Sequence, residues 1–404
     1  MRHAFVRSLL PRAVTVVLGA AAAAAVAIPA MAGTSAPAAR PDSTVYVSMH
    51  AEAGAADMSC GSAAYRSIGA AASAVARGGR VVVCGGTYRE DVMVTKPLSL
   101  LGRPSAVIDA AGKINGILIT AANVTVSGFR VTNATGEGIL VRSADHVTIE
   151  RNVVTHNDLG GLPVHPVPNT YAECKAVGQI PGDCGEGIHL MSSSYSTVAH
   201  NVSSGNSGGI LLSDETGPTA HNHIVGNVAA NNLFDCGVTV VGHNPKAAPG
   251  GVPAPRVAGV FANDIAGNSI SGNGLKGGGS GVVLATGLPG GAVYDNTVEG
   301  NRISGNGMSG VTVHSHVPGE FLNGNVITRN VIGVNNLIGD SDFAPHVDKQ
   351  TTGVLVGTVA PLSVTVSDNV IAHDHFGIWT TGPVTVHGER DNSFVRDAVA
   401  VARG

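Results

Sequence analysis

The sequence predicts an all-β solenoid, a stack of short coils, and three observations carry that prediction. Asparagines recur at five-residue steps: NHIVGNVAANN from Asn222, NDIAGNSISGN from Asn263, NTVEGNRISGN from Asn296 and NVITRNVIGVN from Asn325. Looser copies hold Asn152 and Asn157, Asn201 and Asn206, and Asn369 with Asp374. After each block comes a Gly-led strand, beginning at Gly138, Gly187, Gly209, Gly237, Gly281, Gly310, Gly353 and Gly377, with an earlier one at Gly116. Those glycines are 22, 49, 22, 28, 44, 29, 43 and 24 residues apart. The shortest spacing is one coil, and the longer ones are a coil plus an inserted loop. Repeats of this size cannot bury an apolar face alone and must stack.

Each element follows from that frame. Positions one and three after the glycines are apolar in 17 of 18 cases, Thr380 being the exception, which is the alternation of strands with one face buried. A disordered Gly/Asn linker has no reason for it. Asparagine suits the corners because it tolerates left-handed backbone and its amide bonds to nearby backbone. Repeated on successive coils, it can stack into an amide ladder. Aromatics are only 4% of the chain, too few for an ordinary globular core but enough for a thin interior of Val, Ile and Leu.

Residues 1–32 read as a secretory signal. Arg2, Arg7 and Arg12 precede the apolar run Ala13–Ile28, and Ala30-Met31-Ala32 is a small-x-small cleavage site. A retained anchor helix is the competing reading, disfavoured because the run is Ala-rich and short for a span. Residues 33–43 form a flexible tail, 44–110 a cap with the first strands, and 111–404 the coils. The mature chain carries 21 basic and 28 acidic residues, a net of −7. With no basic tract, nucleic acid and anionic membranes are excluded as partners. A monomer is expected.

Ser62–Arg77 reads as a helix, with Tyr65, Ile68, Ala72 and Val75 on one apolar stripe and Gly78-Gly79 as its stop. Laid across the open end of a solenoid, it covers unpaired edges. The cysteines suit export: Cys60 with Cys84 and Cys174 with Cys184 are expected disulfides, and Cys236 remains as a small buried hydrophobe or a thiol.

The order of capping helix, VVVCGGTYRE, VTKPLSLLG and then NxVxxN…GI coils resembles the right-handed parallel β-helix proteins of the pectate-lyase-like superfamily, in particular secreted actinobacterial members with parallel β-helix repeats. The likeness covers about residues 44–390 and implies that fold. Members of the superfamily include polysaccharide lyases, glycoside hydrolases, uronan epimerases, tailspikes and proteins without known chemistry, so the likeness does not choose an activity. Calcium-dependent pectate lyases carry acidic residues on successive coils beside an Arg or Lys base; this chain has one acidic coil, at Asp214 and Glu215. The set of paired Asp, His-Gly and Arg-x-Lys elements carried by pectin hydrolases is not found in this chain.

The strand register points to the site. Positions two and four after each glycine face outward, and the next turn projects five and six. This outward column holds Arg142, His189, Asp214, Glu215, Thr239, His243, Thr312, His314 and His316, with Asp235 just before a strand. His189, Asp214, Glu215, His243 and His314 are the candidate catalytic residues, since imidazole titrates near neutrality and carboxylates serve as base or acid. Arg142, Asp235, Thr239, Thr312 and His316 are candidate contacts to a polysaccharide or cell-wall glycan. Asp214 and Glu215 are also candidate oxygen ligands for calcium. Insertions at Gly160–Gly185, Asn244–Val257 and Gly339–Thr352 are expected to wall a groove, with Glu186, His346, Asp348 and Lys349 near their ends. Polysaccharide lysis or glycoside hydrolysis competes with non-catalytic glycan binding or a structural role.

Overall fold

A computed structural model describes residues 43–52, 56–158, 185–340 and 350–404. The expected signal, the tail up to residue 42, the Cys174–Cys184 pair, and His346, Asp348 and Lys349 lie outside the described residues.

Each coil contributes one short strand to each of three parallel sheets, of 12, 11 and 11 strands. One coil runs Thr197–Ala199, Val202–Ser204, Gly208–Ser213. The Gly-led strands pair in the order the sequence implies: Ile139, Ile188, Ile210, Val238, Val282, Val311, Val354 and Ile378 are successive partners. Every one of the 17 apolar residues at positions one and three lies in a single buried core. With its strands stacked this way, the chain is a right-handed parallel β-helix.

The leading glycine is explained by crowding rather than by backbone freedom. A Cβ on Gly281 would stand 2.4 Å from the Ile303 side chain and 2.5 Å from the Gly310 carbonyl of the next coil. Only hydrogen fits there.

Three asparagine ladders run along the stack. The first passes through Asn152, Asn201, Asn227, Asn268, Asn301, Asn330, Asn369 and Asn392, each side-chain N–H donating to the next Oδ1. The second runs from Asn157 through Asn206, Asn232, Asn273 and Asn306 to Asn335, then continues on Asp374 and Asp397. Asn222, Asn263, Asn296 and Asn325 make the third. One expectation needs correcting. The ladder asparagines are not left-handed; the residue before most of them is, as at Arg151, His200, His221, Asp295 and Arg329. The corner falls one residue earlier and turns the amide inward, so asparagine is selected for its side chain.

A second column, of rings, follows one edge: His146, Tyr195, His221, Phe261, Tyr294 and Phe321, with neighbouring centroids 4.9–5.8 Å apart. These distances suit stacked and edge-to-face contacts.

The α-helix is shorter than its apolar stripe suggested, Ile68–Ala74. Tyr65 is lost to it because its backbone pairs with the first strand, accepting from the Ser48 N–H and donating to the Tyr46 carbonyl. Ser67 caps the helix, and the Glu90 carboxylate takes the N–H groups of Ile68 and Gly69 at 2.7 and 3.0 Å, where negative charge is favoured. Ile68, Ala71 and Ala72 enter the common core. The expected Cys60–Cys84 disulfide is present, and Cys236 is buried. Among the described residues no helix is long and apolar enough to cross a membrane.

Candidate functional site

The Gly-led strands line up the outward side chains that define the site. His189 is in register with Leu140 and Leu211, and the same column continues through Thr239, Val283, Thr312 and Leu355. This face is not open to water: all of these side chains are buried, and Leu211, Cys236, Val241, Val283 and Ala285 form a small apolar cluster of their own. The polar groups next to it are therefore in a low-dielectric setting, where each must find a partner.

They do so in a continuous chain. His189 Nδ1 lies 2.9 Å from Glu137 Oε1, and its Nε2 lies 2.6 Å from Ser213 Oγ. Ser213 donates to Glu215 Oε2 at 2.5 Å, and Glu215 Oε1 is 2.8 Å from His243 Nδ1. Burial is the largest influence on Glu215 and raises its pKa, but the His243 hydrogen bond and charge, the His189 charge and the Ser213 hydroxyl outweigh it and bring the value down to about 2. Glu215 is thus an anion that only accepts, so Ser213 and His243 Nδ1 donate to it. His189 and Glu137 have no side-chain exposure, whereas His243 and Glu215 keep 4% and 5%.

Asp214 has a different task. Its Oδ1 accepts the backbone N–H of His243 at 2.6 Å and of Asn244 at 3.2 Å, and its Oδ2 accepts that of Gly259 at 2.7 Å. It clamps both ends of the inserted loop 244–258. Burial pushes its carboxyl up to about 7 against the pull of those N–H groups and of His243. The calcium arrangement imagined for Asp214 and Glu215 finds their oxygens already turned to hydrogen-bond donors.

The remaining candidates are spread along the stack. Thr312 joins Ser280 and Ser309 in a buried hydroxyl group, at 2.6 and 2.5 Å. His314 is buried against His316, ring centroids 4.5 Å apart, three strands beyond Ser213 in the same column and so about 14 Å along the axis at the usual strand spacing. His316 takes its place through Glu320 and the Thr286 carbonyl. Asp235 accepts from the Cys236 N–H and from Thr239. Arg142 lines a depression of about 560 Å³ with Asp91, Met93, Lys113 and Leu118. His189, Asp214, Glu215 and His243 are therefore brought together, and His314, Thr312, His316 and Arg142 are not.

Sequence reasoning missed Glu137 and Asp158. Glu137 and Glu186 occupy the outward position just before the leading glycine on adjacent coils, one step outside the columns that were read. A signal was available: the tetrapeptide GEGI occurs twice, at 136–139 and 185–188. Repetition of a glutamate in an otherwise apolar strand start marks a paired site on neighbouring coils. Asp158 had none, since it stands at the edge of a long insertion with no partner motif.

The comparisons agree with this architecture. Residues 115–248 match the family described as "Right handed beta helix region". No curated protein matches the sequence. Among solved structures, the chain is similar to pectate lyase Pel9A at 17% identity, with a TM-score of 0.50, covering 86% of this chain and 78% of that one. It is also similar to the A-module of the Azotobacter vinelandii mannuronan C-5 epimerase AlgE4, at 15% identity and TM-score 0.48, over 81% and 88% of the two chains. A third is PfbA, a surface adhesin of Streptococcus pneumoniae, at 13% identity and TM-score 0.47, over 80% and 84%. Likeness at these identities is one of fold. The chain is a right-handed parallel β-helix protein.

Proposed function

We propose that the chain is an exported, carbohydrate-active β-helix that acts on a polysaccharide by proton transfer, with His243 as the base. The observation that carries this is the hydrogen-bonded run His189–Ser213–Glu215–His243, drawn from successive coils and ending in the histidine that keeps some exposure. Glu215 holds His243 Nδ1–H, which leaves Nε2 as the basic nitrogen and stabilises the imidazolium once a proton is taken. In β-elimination that proton is the one alpha to a uronate carboxylate. Hydrolysis needs two carboxylates across the scissile bond. With Asp214 clamped by backbone N–H groups, elimination is the better fit. Arg142, Asp235 and His316 are the proposed glycan contacts, Thr239, Thr312 and His314 being buried away from any ligand, and a monomer without nucleic-acid or membrane partners is proposed.

Complete burial of His189 and Glu137 favours a second reading, in which the run is a polar staple within a non-catalytic glycan-binding or structural β-helix. A screen of the secreted protein on pectins, alginates, glycosaminoglycans and neutral glycans separates the two. Absorbance at 232 nm from the unsubstituted chain, lost in His243→Ala while its circular dichroism is unchanged, is the expected result. Reducing ends without that absorbance mean hydrolysis, and silence on every substrate leaves the staple.

A further inference from the structure

We infer that Glu137, Glu186 and His189, with Asp158 beside them, form a binding site for a divalent transition-metal ion. The three side chains come from two adjacent Gly-led strands and their leading turns, are fully buried, and each offers a ligand atom within 4.8 Å of the others. Three acids and a histidine on a buried face are expensive unless something positive joins them.

Asp158 is the independent sign of a missing ligand. It is 1% exposed, and among the described residues neither of its carboxylate oxygens has a hydrogen-bond partner. Its Oδ2 is pressed against Gly185, where a Cβ would stand 1.8 Å away, and the Gly185 N–H in turn reaches Glu137 Oε1 at 3.3 Å.

Proton counting at His189 agrees. Ser213 has one proton, which it gives to Glu215, so His189 must donate from Nε2. In the neutral ring this leaves a lone pair on Nδ1, 2.9 Å from the Glu137 oxygen, which is also an acceptor. Either a second ring proton, which makes the imidazolium, or a cation held by both groups satisfies this contact, and only the cation leaves Nδ1 unprotonated. The arrangement Glu215–Ser213–His189 then orients a ligating imidazole from behind, as carboxylates commonly do for metal-bound histidines. Imidazole with carboxylates selects zinc, manganese or iron rather than calcium, which takes six to eight oxygens. The ion does not depend on the polysaccharide reading, because its readout is metal content.

The test uses the full chain, treated with chelator, dialysed, and equilibrated with Zn²⁺ or with Mn²⁺. One bound ion per chain is expected, with affinity falling about tenfold or more in Glu186→Gln and in Asp158→Asn. Circular dichroism checks that both variants fold. The ¹⁵N spectrum of His189 in the unsubstituted protein gives a second measure: a metal-ligated Nδ1 beside a protonated Nε2 supports the site, and two protonated nitrogens with either ion present overturn it. Absence of bound ion in the unsubstituted chain, or an affinity in the two variants equal to that of the unsubstituted chain, overturns it as well.

Discussion

Replacing Asn268, in the middle of the first ladder, with alanine should cost about 2–4 kcal/mol of stability. The estimate follows from its contacts. Asn268 Oδ1 accepts the Asn227 backbone N–H at 2.8 Å and the Asn227 side-chain amide at 3.1 Å. Its Nδ2 donates to the Ile224 carbonyl at 2.8 Å and to Asn301 Oδ1 at 2.9 Å. In the variant the Asn227 side chain keeps its bond to the Val198 carbonyl, and Asn301 Oδ1 keeps the Asn268 backbone N–H. The Asn227 backbone N–H loses its acceptor in a site water does not reach. A buried orphan of that kind costs about 1–3 kcal/mol, and the three weakened partners add a smaller share. Asn392→Ala is the control: it removes the same two acceptor contacts at the half-exposed end of the ladder, where water substitutes, and should cost about 1 kcal/mol. Urea unfolding at equal slope measures both. Equal losses for the two variants, or a loss under about 1 kcal/mol for Asn268→Ala, would refute the argument that burial makes the ladder matter.

Opening the Cys60–Cys84 bridge with paired serines frees a loop of sequence separation 24 and should cost about 3.5 kcal/mol by chain entropy, read as earlier proteolysis of the N-terminal cap. Asp374 is raised to about 7, chiefly by burial and also by Asp397. Because its folded value lies above the unfolded one, stability falls as pH rises from about 4 through 7. Asp374→Asn should raise the melting temperature at pH 8 and flatten that slope; a pH-independent difference would count against it. For activity, His243→Ala should lower the rate by about 10²–10⁴-fold, and Glu215→Gln by less, with circular dichroism unchanged and a melting temperature lowered by the loss of a buried partner. Tyr195→Ala, at a ring 55% exposed, should cost no more than about 1 kcal/mol.

The fold was legible because its two rules are local. Glycine stands where the next coil comes too close for a Cβ, and asparagine stands where an amide must bridge coils, so both leave a period in the chain. The alternation after each glycine then assigned the inward residues correctly. Two things were not local. Tyr65 looked helical by spacing, but a strand more than fifteen residues upstream claimed its backbone. The outward columns were read as a solvent face, whereas Leu211, Val241 and Val283 show a buried one, and burial changes what His189 and its carboxylates need. The meeting of His189 with Glu215 and His243 followed from the coil register. Glu137 was missed because the column it occupies, one residue before the glycine, was not followed.

The ladders also give the stack a direction. In the first ladder every Oδ1 points toward the preceding coil and one N–H of each amide toward the next, the other meeting a carbonyl of the preceding coil, so the side-chain carbonyl dipoles add along the axis as peptide dipoles do along a helix. The positive end emerges at Asn392, whose amide is received by the carbonyls of Gly388 and Glu389 in the turn that carries Glu389 and Asp391. An acidic turn thus sits where the summed field is most positive. A truncation or graft that exposed a ladder partway along would leave that end of the column without its counter-charge.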